Sequence, residues 1–443
     1  MSTPAAAEPA PAGHEAPGVT TTRGAAGGMR ALTLAPLFAA ASGYLVMLVA
    51  GRALGPVDYP LFATYWGAFF ALGGVANGLM QEGTRAVRAA RAARSAGADL
   101  APGQVPPPAP GGRRVRLLPA GLVLGLVLAA GVAASWPAWP SLGLPTYSGL
   151  GVAIMAVGIC GFTLQAATAG ALSGTERWGL YAVLLAVDAA LRLAVAGVAW
   201  AVGGAGLGFA LATVAGTVTW ALLVALIPAV RAALAASLDV GARRFWRNTG
   251  TAMLASAGTS ALVTGFPVFV TATVRASDPK PLVGAVILAI TLTRAPLLVP
   301  LTSFQCAIIV HFVERRSRGV RALAVPLAAV TAVGVAGAGA AWLVGPWLIR
   351  VLFGAEFVLP GAVLAALTAA SVGTAALMVT GNAALAFDRH LLYNAGWWLA
   401  VVAAAALLVA VPAPLDDRSA IALLAGPGLG VVLHVGGMLR GTP

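Results

Sequence analysis

The chain has 443 residues, of which 59% are hydrophobic and 9% are charged, against about 25% charged residues in an ordinary soluble domain. A soluble protein this apolar could not cover its surface with polar groups, whereas a membrane protein presents its apolar faces to lipid. The formal net charge of +13 does not indicate a nucleic-acid partner, because the arginines lie in short patches between apolar blocks. The composition therefore predicts a polytopic membrane protein.

Residues 1–29 precede the first apolar block and are rich in Ala, Pro, Gly and Thr. A segment with so few apolar residues cannot bury a core, so we expect a disordered cytoplasmic tail. The first apolar block is not followed by a signal-peptide cleavage site, and we therefore predict that it is a retained span.

The rest of the chain divides into apolar blocks of about 20 residues, the length that crosses a bilayer. Each block is expected to be an α-helix, because an open sheet edge leaves backbone groups unsatisfied in lipid. The predicted fold class is all-α, with about twelve transmembrane helices. The spans are predicted near residues 31–51, 60–82, 117–135, 149–172, 178–202, 206–228, 249–272, 282–304, 322–344, 357–380, 391–412 and 419–439.

The segment 83–116 is the longest predicted loop between spans. It begins with four arginines among alanines and then becomes rich in Pro and Gly. Its first part could form a helix on the anionic inner leaflet, but we favour a solvated signal that orients the chain. With the N-terminus inside, the loops on the inner side carry most of the arginines, so both termini are predicted to be cytoplasmic. A bacterial cell membrane is the expected location.

Arg294 is predicted to lie in the middle of the eighth span, where a charge costs about 2.5–3.5 kcal/mol on insertion scales. Its neighbours on the same helix face offer no anion, so it needs another helix, water or an anionic substrate. Gln305 lies eleven residues further on, and the same stripe includes Thr291 and Thr302. We predict that this stripe lines a hydrated cavity; the alternative is a buried stripe satisfied by neighbouring helices.

Other polar residues in or near spans form weaker candidates for substrate contacts. Asp188 and Arg192 share a helix face at i, i+4, and both a structural ion pair and a ligand contact remain open. Asn77 and Gln81 share a face near the inner end of the second span. Arg52, at the outer end of the first span, either snorkels to headgroups or guards a cavity mouth.

A short repeat indicates an internal duplication. Residues 176–181 (ERWGLY) and 388–393 (DRHLLY) share an acid, Arg, Leu and Tyr at matching positions and precede spans five and eleven. Two parallel six-helix halves would place such a match six spans apart on one side of the membrane. We therefore predict an N-terminal lobe over 30–230 and a C-terminal lobe over 231–443.

The sequence lacks the motifs of soluble catalysis: no nucleotide-binding loop, zinc-protease motif or nucleophile elbow is present. Cys160 and Cys306 both lie in apolar blocks and have no metal or redox spacing. The outer acidic pair Asp416–Asp417 is best explained as a turn and helix cap. We expect neither a cofactor nor a metal, and we expect the protein not to be an enzyme.

Three segments resemble the polysaccharide flippases of the multidrug/oligosaccharidyl-lipid/polysaccharide exporter superfamily. Residues 51–62 (GRALGPVDYPLF) resemble the turn after the first helix of that family. Residues 352–357 (LFGAEF) resemble the entry to its tenth helix, and residues 172–192 resemble its fourth-to-fifth helix region. The chain departs from the family pattern at Pro60, where glycine is usual, and in the Pro/Gly-rich loop 95–112.

The resemblance implies a transporter of two six-helix lobes around a central cavity that opens alternately to each side. It implies that the protein flips a polyprenyl-diphosphate-linked oligosaccharide, or a related anionic lipid-linked glycan, to the outer leaflet. Cavity cations would hold the diphosphate, and Arg192 and Arg294 suit that role because guanidinium geometry matches phosphate oxygens. The expected partners are this glycan lipid, the bilayer and glycan-assembly proteins at the inner face, with no nucleic acid.

Four other functions are alternatives. A cation-coupled drug exporter of the same superfamily would need an unpaired carboxylate within the membrane, whereas Asp188 has Arg192 beside it. A major-facilitator carrier is disfavoured, because segment 83–116 lacks the usual Gly-x-x-x-Asp-Arg pattern at its start. A membrane enzyme of cell-envelope glycan assembly, or a scaffold without transport, represents a different class of function.

Overall fold

The computed structural model describes residues 22–98, 115–140, 149–204, 206–236, 238 and 240–440, and these residues form α-helices, short 3-10 turns and connecting loops, without a β-strand. In the first half the helices are α1 (Thr22–Ala98), α2 (Leu117–Ala134), α3 (Leu150–Gly174), α4 (Trp178–Ala201), α5 (Gly206–Ala215), α6 (Thr219–Leu226) and α7 (Pro228–Leu234). In the second half they are α8 (Ala242–Val263), α9 (Phe266–Ala272), α10 (Lys280–Ser303), α11 (Gln305–Glu314), α12 (Ala324–Phe353), α13 (Gly361–Ala386), α14 (His390–Ala410) and α15 (Leu415–Arg440).

Helix α1 is a hairpin of two antiparallel arms, residues 22–54 and 56–98. Gly55, between them, has φ 65° and ψ 176°, a conformation that glycine adopts without steric cost. A Cβ atom on Gly43 would lie 4.0 Å from Trp66 Cζ2, whereas a straight helix would separate these residues by roughly 35 Å. Helix α1 therefore crosses the membrane twice.

The helices account for the predicted twelve spans. Within the described residues, 10 helical segments are long and apolar enough to cross a membrane, and the pair α8 and α9, bent by 61°, makes up to 11. Because α1 is one of these segments and crosses twice, the total reaches twelve. The all-α membrane fold predicted from the apolar blocks is confirmed.

The helices pack as two lobes that meet along α1. In the first lobe α1 packs against α3 and α4, and α2 packs against α3. In the second lobe α13 packs against α12 and α15, and α14 packs against α15. Between the lobes, α1 packs against α8, α9 and α10, so the first hairpin forms much of the interface.

The second arm of α1 approaches α8 closely because glycines face it. A Cβ atom on Gly67 would lie 2.9 Å from the carbonyl oxygen of Thr264, closer than real Cβ contacts. Small residues let helices in a membrane come together at this distance. Two further glycines of the same arm are even more crowded, Gly74 by Ser260 and Gly78 by the backbone of Met253.

The two repeated segments adopt the same turn. Glu176 has φ 59° and Asp388 has φ 62°, a left-handed conformation that is uncommon for residues other than glycine. The arginine that follows each acid donates to the carbonyl of a later helix in its own lobe: Arg177 to α7 and Arg389 to α15. This shared geometry, six spans apart, is what two related halves would produce.

The first part of the segment 83–116 is helical, and the Arg88 and Arg91 side chains are 53% and 42% exposed, so the solvated orientation signal stays a prediction. Helix α1 continues to Ala98, and its arginines contact the turn before α4. Arg88 and Arg91 lie 3.4 and 3.7 Å from the carboxylate of Glu176. Alanine and arginine are both strong helix formers, so the helix extends beyond the apolar block; residues 99–114 lie outside the described part of the chain.

Two other predicted boundaries change. Residues 22–29 belong to α1, so the predicted disordered tail is wrong for that part, and residues 1–21 lie outside the described part. The ninth span, predicted at 322–344, extends to Phe353 in α12. Arg350 did not stop this helix, because basic side chains are tolerated in the last turn, where they face the negative end of the helix dipole.

Candidate functional site

A cavity of about 330 Å³ lies between the two lobes. Both arms of α1 form one side, and the bent pair α8–α9 together with α10 forms the other. Its wall is mostly apolar and aromatic, with few polar groups, which is typical of ligand sites. The polar and aromatic side chains that line it are Tyr44, Trp66, Phe70, Thr264, Thr291, Arg294 and Thr302.

The cavity lies at mid-depth and extends towards the predicted cytoplasmic side. At the outer end of α10, Gly284 packs against Pro56 at the turn of α1. Arg294 lies ten residues further along α10, which is about 15 Å of helix and half of the roughly 30 Å hydrocarbon core. Thr302 lies two further turns inwards and also lines the cavity.

Arg294 is 4% exposed and lines this cavity. Its Nη2 donates to the carbonyl oxygen of Leu262 at 3.0 Å, and its guanidinium carbon lies 5.8 Å from the ring centroid of Phe266. Its Nε has no hydrogen-bond partner among the described residues, and it forms no ion pair with their carboxylates. A carbonyl and an aromatic face screen the charge only in part, so the guanidinium retains capacity for an anion.

Asp188 and Arg192 form an ion pair inside the first lobe. Arg192 Nη2 lies 2.8 Å from Asp188 Oδ1 and Arg192 Nε lies 3.0 Å from Asp188 Oδ2. Gln165 donates a further hydrogen bond of 3.1 Å to Asp188. The guanidinium carbon of Arg192 lies 5.3 and 5.0 Å from the ring centroids of Phe69 and Phe70. Phe70 lines the cavity and Arg192 does not. The ion pair of Asp188 and Arg192, which has no net charge, therefore lies behind Phe70 and outside the cavity.

The polar stripe predicted from Arg294 to Gln305 is interrupted. Helix α10 ends at Ser303, and α11 begins at Gln305 after Phe304 takes up φ −99° and ψ 12°. The Nε2 atom of Gln305 donates to Asn382 Oδ1 at 3.2 Å, within the second lobe. The structure thus keeps Thr291, Arg294 and Thr302 on the cavity wall and places Gln305 outside it.

Arg52 joins the two lobes at the outer end. Its Nε donates to the carbonyl oxygen of Leu352 at 2.6 Å and its Nη2 donates to that of Val351. These carbonyls belong to the last turn of α12, where they have no partner within the helix. Two of the three segments that resemble the flippase family, 51–62 and 352–357, therefore meet here, and the rings of Tyr59 and Phe357 pack edge to face at 5.7 Å.

Asn77 and Gln81 lie on the second arm of α1, beside the line along which this arm packs against α8. We call this line the seam. Gln81 Nε2 donates to Ser256 Oγ across the lobes at 3.2 Å, and Asn77, one turn earlier, is partly buried. Arg294 lines the cavity together with Thr291 and Thr302 of the predicted stripe. The other six candidates for substrate contacts lie elsewhere: Arg52, Asn77, Gln81, Asp188, Arg192 and Gln305.

Sequence reasoning missed the aromatic walls of the cavity and one contact between the lobes. Tyr44 and Trp66 form aromatic walls of the cavity, and their residue types alone do not separate them from lipid-facing aromatics. Glu82 is 5% exposed and accepts hydrogen bonds from Arg85 at 2.8 Å and from Asn248 of the other lobe at 3.1 Å. An acid at the end of an apolar span is the one signal that could have indicated this inter-lobe contact.

Comparison with known proteins gives both sequence relatives and structural neighbours. No family model matches the chain. The uncharacterized protein Rv1510 of Mycobacterium tuberculosis (strain ATCC 25618 / H37Rv) is 39% identical over 416 residues, which cover 94% of this chain and 92% of that protein. The uncharacterized protein Mb3654 of Mycobacterium bovis (strain ATCC BAA-935 / AF2122/97) is 39% identical over 416 residues, covering 94% and 93%.

Solved structures with a similar fold are transporters. The inward-facing conformation of a multidrug resistance MATE family transporter of the MOP superfamily aligns with a TM-score of 0.67 at 15% identity, over 90% of this chain and 96% of that one. A MOP superfamily transporter from Pyrococcus furiosus, described as having a binding pocket of reverse polarity, aligns with a TM-score of 0.61 at 15% identity, over 93% and 95%. The chain therefore belongs to the same family as these mycobacterial proteins and has the fold of the MATE transporters.

Proposed function

We propose that the protein is a membrane transporter that moves an anionic lipid-linked glycan across the bilayer, with Arg294 holding the anionic headgroup. The observation that carries the proposal is this buried arginine on the wall of an inter-lobe cavity, without a carboxylate partner among the described residues. A charge at the middle of a membrane is costly and marks functional sites. A guanidinium is also the side chain best suited to phosphate oxygens.

The fold supports transport and not catalysis. The structural neighbours are described as transporters, in both inward-facing and outward-facing conformations. Two lobes that meet along one hairpin can rock against each other, which is how transporters with related halves expose a central site alternately. The chain therefore has the architecture for moving a bound ligand, and we do not expect it to be an enzyme.

The apolar part of such a ligand has a route beside the cavity. The first arm of α1 exposes Leu37 and Phe38, and its Ala39 and Ala40 line the cavity directly after them. On the opposite side of the cavity, Phe304 is exposed at the end of α10, two residues beyond Thr302, which lines the cavity. A lipid chain could therefore remain in the bilayer while its headgroup occupies the cavity, with loading from the inner leaflet of the cell membrane.

A drug exporter of the same superfamily is the second candidate. The structural neighbours named as multidrug transporters and the aromatic cavity wall favour it. Two observations oppose the cation-coupled form. No acid lines the cavity among the described residues, and Asp188 is already paired with Arg192 and Gln165. The two candidates differ in the charge of the ligand, which an experiment can separate.

The test is transport by purified protein in proteoliposomes loaded with polyprenyl-linked hexose lipids. Exposure of the sugar in the opposite leaflet is followed with a lectin that does not cross the membrane. We expect transport by the wild type and at least a tenfold loss in Arg294→Met, which keeps the volume and removes the charge. Arg350→Ala removes an exposed arginine at the end of α12 and serves as the matched control, with transport unchanged.

Two results would contradict the proposal. One is the absence of glycan-lipid transport by folded wild-type protein. The other is equal transport by Arg294→Met and the wild type. Export of a cationic dye under a proton or sodium gradient, unaffected by Arg294→Met, would instead support the drug-exporter candidate.

A further inference from the structure

We infer that the headgroup of the substrate carries a single negative charge, as a phosphodiester does, and not the two charges of a diphosphate. This inference rests on the proposed function and names the class of lipid that the cavity accepts. It departs from the diphosphate-linked substrate that the family resemblance implies. The argument uses the charges, the open donors and the size of the cavity.

The first step is the charge of the wall. Among the residues described along the cavity, Arg294 is the one charged side chain. The second arginine that the sequence assigned to a diphosphate, Arg192, is 3% exposed, paired with Asp188 and separated from the cavity by Phe70. A diphosphate would therefore bring one charge without a protein counter-ion against a mostly apolar wall, where an unpaired charge is disfavoured.

The second step is the hydrogen-bonding capacity of Arg294. Nη2 is engaged by the carbonyl oxygen of Leu262, and one face of the guanidinium lies over Phe266. The Nε donor has no hydrogen-bond partner among the described residues and is itself buried, so contact with a ligand falls to the Nη atoms at the tip of the guanidinium. Arginine binds phosphate through a planar edge of parallel donors, and a phosphodiester presents two non-bridging oxygens to such an edge. With Nη2 already engaged, this one arginine matches a single phosphate group in charge, and its remaining donor capacity suits one phosphate better than two.

The third step is the size and polarity of the remaining space. The volume of about 330 Å³ lies at the lower end of the roughly 300–1,000 Å³ typical of ligand pockets. Tyr44 and Trp66 offer flat apolar faces, and the hydroxyl groups of Thr264, Thr291 and Thr302 can accept hydrogen bonds. This space suits a phosphate with one uncharged, hydroxylated group attached, such as a single sugar ring.

The experiment compares three lipids in the proteoliposome assay: a polyprenyl monophosphate hexose, the matching polyprenyl diphosphate hexose and fluorescent phosphatidylglycerol. We expect the monophosphate hexose to be transported at least tenfold faster than the diphosphate. Phosphatidylglycerol is also a phosphodiester, and its rate shows whether the preferred lipid is a polyprenyl sugar or a glycerophospholipid. Either of these two lipids moving faster than the diphosphate supports the inference.

A charge-gain variant provides a second measurement. Thr291→Lys adds a cation one turn before Arg294 on the cavity wall, and we expect the monophosphate-to-diphosphate ratio to fall at least threefold. Thr293→Lys carries the same change on α10 at a position that does not line the cavity, so its ratio should equal that of the wild type. Equal or faster transport of the diphosphate by the wild type overturns the inference alone. Transport of none of the three lipids overturns the proposed function, and the inference with it.

Discussion

At the scale of single residues, Arg192 and Arg294 show how one residue type takes two roles in the membrane. Both are almost completely buried at mid-span. Arg192 has a carboxylate one turn away on its own helix, so its charge is neutralised locally. Arg294 has only a carbonyl and an aromatic ring from another helix. The presence of a local acid therefore distinguishes the two arginines, and it is the reason that we propose Arg294, and not Arg192, as the ligand contact.

The ion pair of Asp188 and Arg192 gives the first residue-scale prediction. Asp188→Asn leaves a buried guanidinium without its counter-ion, which typically costs about 3–5 kcal/mol, and we expect a markedly lower melting temperature of the purified protein. The double variant Asp188→Asn/Arg192→Met removes both charges and should recover most of that loss. A double variant no more stable than the single one would show that the pair does not act as a unit.

The sequence could identify part of the site but not its assembly. Arg294 was identifiable because an unpaired charge in an apolar block is rare and costly. Its carbonyl partner Leu262 and the partner of Arg52, Leu352, belong to other helices. No local pattern encodes which helices meet, so these contacts could not be predicted. The prediction that Gln305 lines the cavity is wrong because it treats α10 as a straight helix that continues through residue 305, whereas α10 ends at Ser303 and a new helix begins at Gln305.

At the scale of helices, the seam between the second arm of α1 and α8 depends on glycine. The apolar blocks and their lengths were predictable, since a bilayer fixes both. The close approach of the second arm of α1 to α8 was not predictable, because the 55 glycines are distributed over the whole chain. Only the structure distinguishes Gly78, whose Cβ would meet the backbone of Met253, from Gly250, which has open space around it.

The seam gives a helix-scale prediction. In Gly78→Ala the added methyl group meets backbone atoms that cannot rotate away, so α1 and α8 must separate, and we expect a lower melting temperature and slower transport. Gly250→Ala, on α8, gains helix propensity of up to about 1 kcal/mol and meets nothing within 4 Å, so it should be neutral or stabilising. Equal effects of the two substitutions would indicate that the seam is not tightly packed in solution.

At the scale of the whole molecule, the two lobes are connected at the outer turn of α1 and near the inner end of the span formed by its second arm. The outer contact joins Arg52 to the last turn of α12. The inner contact joins Glu82 and Gln81 of the first lobe to Asn248 and Ser256 of the second. A transporter that opens alternately to each side must break one set of contacts while it keeps the other. Both sets of contacts are formed here, and the cavity lies on the inner side of the outer set.

Weakening the outer contact should therefore shift the population towards an outward-open form, since a transporter responds to any change that favours one of its states. We expect Arg52→Ala to raise the labelling of Met47→Cys, on the cavity wall, by a membrane-impermeant maleimide applied from outside. The measurement uses a background with Cys160→Ser and Cys306→Ser, and a several-fold increase is the expected result.

Lys280→Ala removes an exposed outer charge that makes no contact with α12 in the described hydrogen bonds, so labelling should stay at the starting level. Unchanged labelling in Arg52→Ala would mean that the outer closure does not depend on this arginine, and that the packing of Tyr59 against Phe357 holds the lobes together without it.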